Sequence, residues 1–140
     1  MVKLLIGHKG SGKTKKMIDL ANDTVQDAKG SIVFINKNTR LIYDLDYKIR
    51  VVCMEDFPHI TNADEYLGFI FGIMSSDNDI QTMFLDGIMR HRDFALDVLP
   101  DFIDKIKIVS KETGIDFIVS VSAELEEMIG VNFDGIEVLN

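Results

Sequence analysis

Eight residues near the start of the chain, Gly7-His8-Lys9-Gly10-Ser11-Gly12-Lys13-Thr14, constrain its fold more than any other feature. They match Gly-x-x-x-x-Gly-Lys-Thr in full, a pattern that arises by chance in roughly one chain in a few hundred of this length. Gly7 lets the backbone leave a strand in a tight turn. Gly10 and Gly12 allow conformations and close approaches that a side chain would block. The amides from Lys9 through Ser11 to Thr14 can then point inward and donate to phosphate oxygens, and a helix beginning near Lys13 adds the positive end of its dipole. In that arrangement Lys13 reaches the terminal phosphates and the Thr14 hydroxyl binds Mg²⁺. Lys9 is placed to add charge near the last phosphate, whereas His8 reads as a solvated loop residue.

The flanking residues supply the context such a loop needs. Val2, Leu4, Leu5 and Ile6 form a short apolar run that reads as a buried parallel strand. Behind the loop, Met17, Leu20, Ala21, Thr24, Val25 and Ala28 recur at helical spacing, and Gly30 is the expected stop. Ser31 to Ile35 reads as a second strand. From Leu41 to Val51 apolar and polar residues alternate, which predicts an edge hairpin around residues 41–53 with its turn at Asp44 to Asp46. Thr61 or Asn62 caps a predicted helix running to about Ser75. That helix is apolar nearly all round, with Gly68 and Gly72 on one face for close packing. Thr82 to Gly87 reads as a strand ending in an acid, and Asp93 to Thr113 as a helical pattern that Pro100 either kinks or opens anew. After the stop at Gly114 come a strand at Ile115 to Val121, a short helix at Ala123 to Ile129 and a last strand at Ile136 to Val138. Strands alternating with helices predict an α/β fold: one domain over residues 1–140, with a mostly parallel sheet and helices on both faces. Ligands bind such sheets at the carboxyl ends of the strands, where Gly7, Asp86 and Ser122 all fall.

Asp86 is the expected magnesium partner of Thr14, and with Lys13 it is a candidate catalytic residue. Ser120 or Ser122 reads as a group that senses the last phosphate or caps the strand end. Glu124 is a candidate to activate water, against a solvated acidic turn with Glu126 and Glu127. Arg90, His91 and Arg92 follow the acid closely enough to supply transition-state charge, against a solvated loop paired with Asp93.

Composition narrows the partners. The net charge of −8 opposes the counterion displacement that non-specific nucleic-acid binding requires, so no nucleic acid is expected. The longest apolar stretch, Tyr66 to Met74, is far short of the roughly 20 residues a bilayer needs. No secretory leader is visible, and Cys53 is the one cysteine, so a cytoplasmic protein is expected. The apolar stretch 61–75 is a candidate docking surface for a second copy or a protein partner.

The loop Gly7 to Thr14, the strand ending in Asp86 and the polar-ended strand Ile115 to Ser122 together resemble the P-loop NTPase superfamily. The order of elements is similar to its RecA-like and AAA-like division, and the chain resembles small stand-alone bacterial P-loop proteins labelled as similar to twitching-motility ATPases. The resemblance implies a three-layer P-loop NTPase fold, with the strand 115–121 between the loop strand and the magnesium-binding strand. It implies Mg²⁺-dependent binding of a nucleoside triphosphate, ATP in the first place, with weak or partner-stimulated hydrolysis. The accessory domain and the His- and Asp-rich motifs of pilus motors do not fit this chain, so no motor function is carried over. Many ATPases of this type place a Glu directly after the magnesium acid, and Gly87 stands there instead. A non-catalytic nucleotide-sensing subunit is therefore the alternative, and a small-molecule kinase a third reading. No base-reading motif is present: Asn36-Lys37-Asn38-Thr39 only begins like the guanine-specific Asn-Lys-x-Asp.

Overall fold

A computed structural model describes residues 1–38 and 42–140. Six strands form one all-parallel sheet: β1 (Val2–Gly7), β2 (Ser31–Asn36), β3 (Arg50–Cys53), β4 (Ile80–Leu85), β5 (Asp116–Ser122) and β6 (Ile136–Val138). Their spatial order is β3-β2-β4-β5-β1-β6. As expected, β5 lies between the loop strand and the strand that leads to Asp86. The helices are α1 (Lys13–Gln26), α2 (Ala63–Ser76) and α3 (Leu99–Thr113).

Strand alternation divides the core in two. Leu5, Ile32, Phe34, Phe84 and Ile118 face the apolar stripe of α1, formed by Met17, Ile18, Ala21 and Val25. Leu4, Ile6, Val33, Ile35, Met83, Leu85, Phe117 and Val119 belong to the second cluster, which Tyr66, Leu67, Ile70 and Ile73 of α2 and Phe102, Ile103 and Ile106 of α3 complete. The molecule is thus a three-layer α/β domain. No helix among the described residues is long and apolar enough to cross a membrane.

Local signals behave as the chemistry requires. The Asn62 side chain accepts from the Glu65 amide at 2.8 Å and starts α2. Pro100 sits in the first turn of α3, which opens a new helix and kinks nothing. Gly114 ends α3 with φ 78°.

Four expectations need correction. The edge hairpin at 41–53 does not form. Residues Ile42–Asp44 make a 3₁₀ turn, and β3 runs parallel to β2. The alternation arises because Leu45 and Ile49 reach into the α1 core while Tyr43 and Tyr47 stand more than nine-tenths exposed. Asn22 of α1 holds this segment, donating to the Asp44 carbonyl at 2.9 Å and accepting from the Asp46 amide at 2.8 Å. Backbone groups gripped by a helix side chain are not available to a second antiparallel strand. Leu41, where the alternation begins, lies outside the described residues. Gly30 does not stop α1, which ends at Gln26; a side chain at Gly30 would collide with the Asp79 carbonyl. Gly68 and Gly72 lie on the exposed side of α2 and pack against nothing that a Cβ would meet. Between Ala123 and Ile129 the short helix is a single 3₁₀ turn, Leu125–Glu127.

Candidate functional site

The site is assembled where β1, β2, β4 and β5 end. Residues 8–12 link β1 to α1, and two glycines set the path. Gly10 and Gly12 hold φ of 87° and 85°, the left-handed region that other residues enter only with strain. Gly7 serves a different purpose: a Cβ there would stand 2.6 Å from the Ser11 hydroxyl oxygen. The loop is closed by the His8 carbonyl, which accepts from the Ser11 amide at 3.2 Å and from Lys13 Nζ at 2.9 Å. Lys13 is buried, and that burial lowers its pKa. The nearby Asp86 pulls the pKa upward, Arg90 pushes it down and Glu124 raises it.

Opposite the loop, three polar residues end three neighbouring strands. Ile35 pairs with Leu85 and Leu85 with Val119. Asn36, Asp86 and Ser120 follow one position later, so they form a row directly beyond Phe34, Phe84 and Ile118 on the α1 face. All three are buried. The Thr14 hydroxyl donates to Asp86 Oδ2 at 2.8 Å, and the Ser120 hydroxyl donates to Asp86 Oδ1. One carboxylate therefore joins the first turn of α1 to the centre of the sheet. Thr14 spends its proton on Asp86, which leaves its oxygen lone pairs available to a cation.

Between loop and row lies a cleft of about 320 Å³. Lys9, Gly10, Gly12, Lys13 and Thr14 of the loop and first turn line it together with Asn36, Asp86, Gly87 and Arg90, and with Ser122 at the end of β5. Of the two sequence-predicted serines, Ser122 thus reaches the cleft, while Ser120 stays beneath Asp86. Of the three basic residues, Arg90 alone reaches it. His91 is buried with its ring 3.2 Å from the Ile60 carbonyl, and burial lowers its pKa, against that bond and aided by the Lys37 charge. Arg92 pairs with Asp93 at the surface. Glu124 caps its 3₁₀ turn and lies 3.4 Å from His8, outside the cleft lining. Gly87 has φ 75°, and a Cβ there would meet the Lys37 Cβ at 3.0 Å. The backbone and the neighbouring segment thus disfavour a glutamate at this position.

Sequence reasoning missed Asn36, taking Asn36 to Thr39 only as an incomplete base-reading motif. The usable signal was that Asn36 ends an apolar strand as Asp86 does. No protein-family model matches the chain, and no curated protein matches it at a significant level.

Proposed function

We propose that this chain binds a nucleoside triphosphate, ATP in the first place, together with Mg²⁺, and is a member of the P-loop NTPase superfamily. The 2.8 Å bond from Thr14 to Asp86 carries the reading. It sets a hydroxyl and a carboxylate, both hard oxygen donors, side by side at the mouth of a glycine loop whose lysine is poised over a cleft. Mg²⁺ ordinarily takes one or two protein oxygens and completes its shell with water and phosphate. Thr14 and Asp86 fit that role. Among the described residues no group of three His, Cys, Asp or Glu side chains forms a protein-only cage. The charge pattern agrees. In a chain of net charge −8, the cleft gathers Lys9, Lys13 and Arg90 around one carboxylate. A polyanion with its metal balances that set.

Turnover is slow or waits on a partner in this reading. A side chain after Asp86 would be strained at φ 75° and crowd Lys37, Glu124 lies against His8 outside the cleft lining, and Asp86 is engaged by Thr14 and Ser120, so no described residue of the cleft stands ready to take a proton from water. That observation favours the second reading, a nucleotide-sensing module, over a fast ATPase.

Calorimetric titration with ATP and Mg²⁺ tests the proposal. Lys13→Ala is expected to weaken binding about a hundredfold, the size of lost charge-assisted bonds to phosphate. Equal affinity for both proteins would sink it. Phosphate release by the isolated protein is expected to stay near the rate of Asp86→Ala.

A further inference from the structure

We infer that Asn36 reads the terminal phosphate, so that the site separates a nucleoside triphosphate from a diphosphate. The inference rests on the nucleotide reading above and goes beyond it by assigning the distinction to one amide group.

Asn36 is only 4% exposed, yet it lines the cleft. Its Oδ1 accepts from the Lys37 amide at 2.7 Å. That bond fixes the orientation of the side chain, since a backbone N–H can donate only to the oxygen. The NH₂ group is therefore the end left for the cleft, and it has no hydrogen-bond partner among the described residues. The one fully buried, unpartnered side-chain polar atom among them is the Tyr66 hydroxyl, so the Asn36 nitrogen is not sealed inside the protein. The amide is thus held in one orientation with its NH₂ group facing the cleft, where it donates to water or to a bound ligand.

Sheet order says which part of the ligand this is. The loop leaves β1, and Asp86 stands on β4, two strands away across β5. Asn36 stands on β2, on the far side of Asp86 from the loop. A phosphate chain gripped by the loop and by Lys13, with its metal at Thr14 and Asp86, presents its last phosphoryl group toward Asn36. An amide NH₂ donates and cannot accept, so Asn36 suits a phosphate oxygen and cannot serve as the base that water would need. Lys37 holds this wall in place from behind, through the close approach to Gly87 and through its carbonyl, 3.9 Å from the Cys53 sulfur on β3.

The test is calorimetry with ATP–Mg²⁺ and ADP–Mg²⁺ on the wild type, Asn36→Ala and Asn36→Asp, each checked for native circular dichroism. Asn36→Asp keeps an oxygen for the Lys37 amide and exchanges the donor for a charged acceptor, so it guards against a folding defect in Asn36→Ala. The expected result is a loss of about tenfold in ATP affinity for Asn36→Ala, the size of one hydrogen bond to a charged group, with ADP affinity within twofold of wild type. Asn36→Asp is expected to lose at least as much for ATP. Equal losses for both nucleotides, or no loss in either variant, would overturn the assignment and leave nucleotide binding intact. A wild type that binds neither nucleotide would overturn both.

Discussion

The two faces of the sheet are built from the same strands to opposite ends. On the α1 face the apolar ladder Phe34, Phe84, Ile118 gives way, one residue on, to Asn36, Asp86 and Ser120. On the α2 and α3 face the ladder continues through Leu85 and Val119 to Val121 and Ile88 without a break in polarity. There the rings of Tyr66, Phe94 and Phe102 pack edge-on or tilted at 5.0–6.3 Å. One face is a frame for a site; the other is ballast. The difference teaches that strand parity, and not strand identity, separates residues that act from residues that hold.

Deep truncations on the two faces break the comparison most severely. Phe102→Ala empties the dry face and is expected to cost about 3–5 kcal/mol of stability, measured by denaturant unfolding. Nucleotide affinity of the folded protein should not change. Phe84→Ala, beneath Asp86 and stacked 5.8 Å from Phe34, is expected to cost a similar amount and to weaken ATP binding as well. Loss of binding in Phe102→Ala, or none in Phe84→Ala, would dissolve the distinction.

A smaller effect sharpens it. The Tyr66 hydroxyl is buried on the dry face with no partner, and burial followed by the Asp86 charge raises its pKa. An unpaired buried hydroxyl costs free energy that its removal returns. Tyr66→Phe is expected to stabilise the protein by about 1 kcal/mol, or roughly 3 °C in the unfolding midpoint. A loss of stability would mean that the hydroxyl does work that the face otherwise lacks.

What the sequence made legible follows the same division. The loop was readable because each residue answers a local backbone demand: left-handed φ at Gly10 and Gly12, crowding at Gly7. Asp86 was readable because an acid ending an apolar run is conspicuous. The fold class followed from alternating periodicities, and the place of β5 from the resemblance to the P-loop NTPase superfamily. The segment 42–53 misled because Leu45 and Ile49 give the same period-two pattern whether they line a strand or plug a turn. The Asn22 side chain that decides between these comes from a helix some 20 residues earlier in the chain. Ser120 and Ser122 could not be ranked without register, since they share a strand and a face and only the pairing of Leu85 with Val119 tells which lies under Asp86. Gly87 looked like a missing catalytic residue. The backbone explains it as a residue required at φ 75° against Lys37.

The central claim is that the loop, Thr14 and Asp86 act as one grip on a triphosphate and its metal. Thermal unfolding with ATP in the presence of Mg²⁺, and again with the metal chelated, tests it most directly. At a ligand concentration about 100 times its dissociation constant, binding to the native state adds about 2.7 kcal/mol, a rise in midpoint of roughly 8 °C. The account predicts that rise with Mg²⁺ and the loss of most of it in chelator. An unchanged midpoint with ATP and Mg²⁺, or an equal rise without the metal, would contradict it.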